Sequence, residues 1–192
     1  MTNYKQDSKM NHYHEEIMLA GFGGQGIMLA GKLLATAAMQ QGFEVTYMPS
    51  YGPEVRGGTA NCAVVIADSP IASPVPGPVD TAIIMNDASL RKFAPRLRPG
   101  GLLIINRSLI ETDPGRDDVE LLEVPADELA QELGSPKAAN MVMLGAYLGR
   151  RAKMNVHAVA SCLQDVLAQR YHKTIPLNTA ALEHGAQVPA HA

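Results

Sequence analysis

The sequence predicts an α/β protein with a Rossmann-like three-layer fold, in which helices cover both faces of a mostly parallel sheet. Short apolar runs that suit buried strands, such as residues 16–20 and 100–106, alternate with longer stretches of helical pattern. A glycine-rich turn, residues 21–26, separates the first of these runs from the first helical stretch. Apolar residues make up 46% of the 192, so the chain can bury a sizeable core.

The first half predicts a strand–helix–strand unit. Residues 16–20 are the first strand, residues 27–41 an apolar helix closed by Gly42, and residues 44–48 the second strand. This order in about 33 residues predicts that the two strands lie parallel. Further strands are predicted at 59–67, 81–85, 100–106 and 119–125.

The second half predicts most of the helices. Residues 87–97 read as a helix with Asp87 as its N-cap, disturbed by Pro95. The last third is helical, and Asn155 is expected to cap one of its helices. The predicted segments are 126–134, 140–153, 155–172 and 178–187. The expected organisation is a flexible N-terminus (1–14), a single α/β domain (15–188) and a short tail (189–192).

Composition excludes several classes of protein. A net charge of −3 without a basic cluster argues against nucleic-acid binding. The sequence has no run of about 20 apolar residues, and its polar start lacks a signal-peptide core, so we expect a cytoplasmic protein that does not enter membranes. Charged residues are only 18%, which favours a chain that covers part of its surface with partners.

The candidate metal and catalytic residues are few. Cys62 and Cys162 are predicted to be reduced, buried thiols, and two cysteines cannot supply the four thiolates of an ordinary iron–sulfur cluster. His12 and His14 are close in sequence, but a polar terminus explains them more simply than a metal pair. No Ser-His-Asp set, zinc spacing or pair of catalytic carboxylates stands out, so the chain is expected to hold no catalytic residue and no metal.

The glycine turn is the first candidate binding site. Its pattern fits the dinucleotide fingerprint, in which glycines let a backbone approach phosphates at a helix N-terminus. That fingerprint also needs an acidic residue at the end of the second strand, where this chain has Tyr47 to Ser50. Two readings stay open, namely an anion site and a turn that serves packing alone. The candidate ligand residues are Gly21, Gly23, Gly24, Gln25 and Gly26.

An overlapping pattern resembles a P-loop but is rejected. Gly26, Gly31 and Lys32 have the required spacing, but Leu33 replaces the Ser or Thr that would hold Mg²⁺. Gly31 and Lys32 also fall inside the predicted helix.

The loop that follows the second strand is the second candidate site. Its prolines and glycines fix a particular shape at the carboxyl edge of the sheet, where α/β proteins bind ligands. The alternative is an ordinary hairpin-like connection with Glu54 and Arg56 as a solvated pair. The candidate residues for an interface or an approach to an active site are Tyr51, Glu54, Arg56, Gly57, Gly58 and Asn61.

Four stretches carry a resemblance to a known family. They are GFGGQGIMLAGKLLA (21–35), PSYGPEVRGGTANCAVVIAD (49–68), IIMNDASLRKFAPRLRPGGLLIIN (83–106) and ANMVMLGAYLG (139–149). Together they resemble the gamma subunit of 2-oxoacid:ferredoxin (acceptor) oxidoreductases, the pyruvate/ketoisovalerate oxidoreductase catalytic-domain family. The 2-oxoglutarate branch is the most similar, with branched-chain 2-oxoacids next.

The resemblance implies a function shared with other subunits. Complexes of this family convert a 2-oxoacid and CoA into acyl-CoA and CO₂ and pass two electrons to ferredoxin. Thiamine diphosphate with Mg, and the iron–sulfur clusters, belong to alpha, beta and delta-type subunits, so this chain is expected to carry no cofactor and to contact CoA or substrate. The alternatives are branched-chain 2-oxoacid or pyruvate specificity, a stand-alone nucleotide-binding oxidoreductase, and a pure scaffold.

Overall fold

The computed structural model describes residues 12–51, 59–73, 75 and 77–189, and the described residues form one α/β unit around a single sheet. Its strands are β1 (His14–Phe22), β2 (Glu44–Tyr51), β3 (Thr59–Ala67), β4 (Val79–Ile84), β5 (Leu97–Asn106) and β6 (Glu120–Val124). Its α-helices are α1 (Ile27–Gln40), α2 (Asp87–Phe93), α3 (Ala126–Glu132), α4 (Ala139–Arg150), α5 (Val156–Ser161), α6 (Leu163–Val166) and α7 (Ile175–Ala186).

The sheet is mixed and mostly parallel, in the order β2-β3-β1-β4-β5-β6, which confirms the predicted fold class. Strands β1, β4, β5 and β6 pair in parallel, whereas β3 runs antiparallel to both of its neighbours. Strands β1 and β2 therefore point the same way, as predicted from the strand–helix–strand order. They are not neighbours, however, because β3 is inserted between them.

Helices cover both faces of the sheet, but unequally. Ile17 and Leu19 of β1 contribute to a core shared with α1 and α3 to α7. Met18 and Ala20, which point to the opposite face, contribute to a smaller core closed by α2 and Ile110. This alternation is the period of two expected for a strand buried on both faces.

The predicted helix at 155–172 is wrong as a single element. Asn155 does cap α5, since its Oδ1 accepts a hydrogen bond from the Ala158 N–H at 2.8 Å. The helix breaks after α6, where Leu167 adopts an extended conformation (φ −82°, ψ 134°) and is largely buried. Burying that side chain outweighs continuing the helix, and the chain proceeds as a 3₁₀ turn over Gln169–Thr174 into α7.

The N-cap predicted for α2 is also wrong by one residue. Asn86 caps the helix, because its Oδ1 accepts the Ser89 N–H at 2.9 Å, while Asp87 is the first helical residue. An N-cap needs an extended backbone, and Asn86 has it. Pro95 disturbs the end as predicted, since α2 stops at Phe93 and a 3₁₀ turn follows over Ala94–Arg96.

Helices α4 and α7 cross at very short range. A Cβ placed on Gly145 would lie 2.1 Å from the carbonyl oxygen of Leu182, and one on Gly185 would lie 1.9 Å from that of Val142. The two backbones therefore touch where α4 and α7 cross. In the described part of the chain, no helix is both long and apolar enough to cross a membrane.

Candidate functional site

The glycine turn lies at the carboxyl end of β1, directly before α1. Gly24 and Gly26 have φ values of 98° and 73°, which favour glycine because a Cβ is crowded there. Gly26 is the N-cap of α1 and offers no side chain to cap it. The turn therefore depends on glycine for its shape, as the sequence pattern predicted.

The side chain of Gln25 is turned inward and braces the turn. Its Oε1 accepts hydrogen bonds from the Phe22 N–H at 2.7 Å and from Asn86 Nδ2 at 3.1 Å. Its Nε2 donates to the carbonyl oxygen of Met85 at 3.4 Å. The amide thus ties the turn to the end of β4 and the start of α2. The side-chain amide of Gln25, one of the candidate ligand residues, is therefore hydrogen-bonded to other protein groups.

Asn140 holds the turn from the helical layer. It is only 5% exposed, and its Nδ2 donates to the carbonyl oxygen of Gly26 at 3.0 Å. A Cβ on Gly26 would lie 2.4 Å from that Nδ2, so the close approach also requires glycine. The roles of Asn86 and Asn140 were missed from the sequence, although each is an amide that closes or interrupts an apolar run, a pattern that marks a buried hydrogen bond.

The start of α1 retains capacity for an anion. Ala30 is the first residue whose N–H finds an intrahelical acceptor, the Gly26 carbonyl at 3.0 Å. The first turn has neither a side-chain cap nor an acidic residue, so its N–H groups and partial positive charge are not neutralised locally. Nothing described lies within 4 Å of a Cβ on Gly24, so the turn is open to approach there. Ligand contact at this turn remains a prediction.

The second candidate loop is described only at its two ends. Glu54, Arg56, Gly57 and Gly58 lie outside the described residues, and their predicted role stays a prediction. Tyr51 ends β2, and Asn61 of β3 pairs with Ala20 of β1 on one side and Ser50 of β2 on the other. The loop therefore joins an antiparallel hairpin and leaves the sheet at the same edge as the glycine turn.

The strand order argues against a dinucleotide site. In a dinucleotide-binding fold, the strand after the first helix lies beside β1, and an acidic residue at its end contacts the ribose. Here β3 separates β1 from β2, so the end of β2 is about 9.5 Å from β1 at two strand spacings. Residues 48–51 include no acid. The glycine pattern is thus placed on a different sheet topology.

The opposite edge of the sheet contains a buried carboxylate that sequence analysis missed. Glu15 is 3% exposed, although it lies in a polar stretch at the predicted domain boundary. Its carboxylate accepts hydrogen bonds from the hydroxyls of Tyr13 (2.6 Å), Tyr147 (2.8 Å) and Thr81 (2.7 Å). Arg151 Nε lies 3.6 Å from the same group.

This arrangement is a structural network. Burial, followed by the nearby Glu15 carboxylate, raises the pKa of Tyr147 well above its usual value. The same two causes raise the pKa of Tyr13. Both phenols therefore remain hydrogen-bond donors at neutral pH. Through Glu15, Tyr147 joins α4 to β1, and the Thr81 hydroxyl joins β4 to β1.

The described residues do not provide a metal site. No group of three His, Cys, Asp or Glu residues in the described ranges could hold an ion. Cys62 and Cys162 are both buried, free thiols. Cys62 Sγ donates to the Ile27 carbonyl at 3.6 Å, and Cys162 Sγ to Gln40 Oε1 at 3.0 Å. These thiols do not fit a shared iron–sulfur cluster.

Comparisons with known proteins agree with the resemblance seen in the sequence. A family model described as pyruvate ferredoxin/flavodoxin oxidoreductase matches residues 16–188. The ketoisovalerate oxidoreductase subunit VorA of Methanothermobacter thermautotrophicus is 34% identical over 172 residues, covering 89% of this chain and 35% of VorA. The chain therefore spans about a third of that relative's length.

Two further comparisons match most of both proteins. The 2-oxoglutarate synthase subunit KorC of Methanocaldococcus jannaschii is 38% identical over 135 residues, covering 69% of this chain and 72% of KorC. The crystal structure of the keto/oxoacid ferredoxin oxidoreductase gamma subunit from Geobacter sulfurreducens is 26% identical with a TM-score of 0.80, covering 92% of this chain and 96% of that one. The resemblance to gamma subunits is confirmed, while VorA and KorC are named for different 2-oxoacids.

Proposed function

We propose, because the chain belongs to the pyruvate ferredoxin/flavodoxin oxidoreductase family, that it is the gamma subunit of a cytoplasmic 2-oxoacid:ferredoxin oxidoreductase that uses 2-oxoglutarate. The complex converts the 2-oxoacid and CoA into acyl-CoA and CO₂ and passes electrons to ferredoxin. The observation that carries this proposal is the family match along residues 16–188. The similarity to KorC supports 2-oxoglutarate as the substrate. The similarity to VorA keeps branched-chain 2-oxoacids as the alternative.

Other subunits supply the reactive cofactors in this proposal. The alpha, beta and delta-type subunits hold thiamine diphosphate with Mg and the iron–sulfur clusters. This chain has two cysteines, both buried and engaged elsewhere, which supports that division. Its own task is to help build the complex and to contact CoA.

The glycine turn is the proposed contact with CoA. The turn is braced from behind by Gln25 and Asn140, and its outer side is open at Gly24. N–H groups at a helix N-terminus bind phosphate, and the ADP part of CoA carries three phosphate groups. With no P-loop lysine at the turn itself, we expect orientation of CoA more than strong binding.

The subunit assignment is tested by co-expression. The full chain should co-purify with alpha and beta subunits as a complex that reduces viologen with CoA and 2-oxoglutarate, and the chain alone should be silent. A complex that prefers 2-oxoisovalerate or pyruvate would refute the substrate assignment only. Turnover by the chain alone, or failure to co-purify with the alpha and beta subunits, would refute the subunit role.

The CoA contact is tested by a matched pair of variants. Gly24→Asn places a side chain on the open side of the turn, and Asn tolerates positive φ better than other residues. Gly42→Asn is the control, because Gly42 also has positive φ (84°) and open surroundings but lies beyond the other end of α1. In the complex, Gly24→Asn should raise the KM for CoA and leave that for 2-oxoglutarate unchanged. Equal CoA KM values for the two variants would show that the turn is purely structural.

A further inference from the structure

Asn140 is a buried polar residue in a helix that is otherwise almost entirely apolar. Ten of the twelve residues of α4 are buried, and among these ten only Asn140 and Tyr147 carry a polar side-chain group. The Tyr147 hydroxyl donates to Glu15 at the start of β1. The Asn140 amide donates to Gly26, in the turn that follows the end of β1. Helix α4 therefore holds β1 at its start and holds the glycine turn beyond its end.

The start of α1 does not need Asn140 to complete its own hydrogen bonds. The Gly26 carbonyl oxygen already accepts the Ala30 N–H at 3.0 Å, which is the first bond of the helix. Asn140 Nδ2 donates to the same oxygen, also at 3.0 Å. Burying an amide costs free energy that an apolar side chain at this position would avoid. The effect of the second bond is thus to fix the direction of the Gly26 carbonyl group.

Fixing this carbonyl also fixes a candidate donor to a ligand. The peptide group between Gly26 and Ile27 is planar and trans, so its C=O and its N–H point in opposite directions. The Ile27 N–H is the first donor of α1. Gly26 has a φ of 73° and no Cβ to restrict the rotation of this peptide group, so an outside contact is needed to hold it. Free N–H groups at a helix start are the groups that bind phosphate.

We propose that Asn140 is a positioning residue for CoA. It holds the peptide group between Gly26 and Ile27 so that the Ile27 N–H faces a CoA phosphate on the open side of the turn at Gly24. Helix α4 suits this task because its backbone touches that of α7 at Gly145, and a site is positioned best from a rigid element. The inference rests on the proposed CoA contact and adds the residue that orients it.

The test measures CoA binding by the assembled complex, both by calorimetric titration without 2-oxoacid and through the KM for CoA. Asn140→Ala removes the donor, and loss of one neutral hydrogen bond corresponds to about three- to tenfold weaker CoA binding. The kcat at saturating CoA and the KM for 2-oxoglutarate should stay unchanged, because only CoA binding is affected. Asn140→Ser, whose hydroxyl is one bond shorter than the amide, takes the place of Asn140→Ala if that variant does not fold.

Asn106→Ala is the matched control. Asn106 is a fully buried asparagine at the end of β5, two strands away from β1. Its side chain holds the start of α3, since Nδ2 donates to Asp127 and Oδ1 accepts the Ala126 N–H. Asn106→Ala should lower the free energy of unfolding and leave CoA binding unchanged. The control therefore separates a loss of stability from a loss of positioning.

A double variant shows whether Asn140 acts through the turn. Gly24→Asn blocks the open side of the turn, so adding Asn140→Ala should weaken CoA binding by less than about twofold further. Effects that multiply in the double variant would overturn the inference. An equal rise in the KM for 2-oxoglutarate would overturn it too, because the change would then not be specific to CoA.

The outcomes also separate this inference from the proposed CoA contact. If Gly24→Asn weakens CoA binding and Asn140→Ala behaves like Asn106→Ala, the contact stands and the positioning role is refuted. If Asn140→Ala alone weakens CoA binding, Asn140 does not act through the open side of the turn, and the inference is again refuted. If neither variant changes CoA binding, the proposed contact fails and the inference fails with it.

Discussion

Removal of one hydroxyl from the Glu15 network should measurably destabilise the fold. Tyr147 is fully buried, and its hydroxyl donates to Glu15 Oε2 at 2.8 Å. Tyr147→Phe deletes this bond and keeps the ring, so packing is preserved. A hydrogen bond to a charged group contributes about 1.5–3 kcal/mol. The Glu15 carboxylate keeps the Tyr13 and Thr81 hydroxyls, so we expect the variant to fold.

The measurement is thermal and denaturant unfolding of the full chain beside a control. For a domain of this size, the loss corresponds to a fall in Tm of about 3–12 °C. Tyr171→Phe is the control, because Tyr171 is 47% exposed and none of the described residues bonds to its hydroxyl. Its free energy of unfolding should change by less than about 0.5 kcal/mol. If the two variants unfold alike, the Glu15 network does not stabilise the fold.

The pH dependence gives a second check on the same variant. Burial raises the pKa of Tyr147 in the folded protein above that in the unfolded chain, which is about 10. The stability that this difference contributes is therefore complete below about pH 10 and is lost as pH rises further. Phe does not titrate, so the difference in free energy of unfolding between wild type and Tyr147→Phe should become smaller above about pH 10. If this difference in free energy of unfolding grows above about pH 10, the Tyr147 hydroxyl is not buried beside Glu15 as described.

Two further predictions concern packing and thiol chemistry. Gly145→Ala should destabilise the protein by at least about 2 kcal/mol, because its Cβ would lie 2.1 Å from the Leu182 carbonyl oxygen. Gly77 has open surroundings, so Gly77→Ala should change the free energy of unfolding by less than about 0.5 kcal/mol. Equal effects in chemical denaturation would refute the close helix crossing. Burial raises the pKa of the Cys62 thiol to about 12, so a thiol reagent at about pH 8 should modify it only after unfolding. Fast labelling in native buffer, tracked by mass spectrometry, would contradict this.

The structure of the glycine turn was predictable from the sequence only where it depends on local contacts. The positive φ of Gly26, at the turn before a helix, is a local reason for glycine, and the spacing of the glycines indicates it. The candidate turn was therefore found from the sequence. Its brace was not, because Gln25 contacts Met85 and Asn86, about 60 residues away, and no local pattern encodes that contact.

The difference between local and long-range contacts also explains which parts of the sheet could be predicted. Apolar runs determine that a segment is a strand, since the period of side-chain burial is local, and the strands were located correctly. Which strand lies beside which depends on contacts distant in sequence, so the insertion of β3 between β1 and β2 was decided only in the tertiary structure. Glu15 shows this most clearly. By itself the sequence shows a charged residue in a polar stretch; only the fold brings the hydroxyls of Tyr13, Thr81 and Tyr147 around it, and those donors are what make its burial favourable.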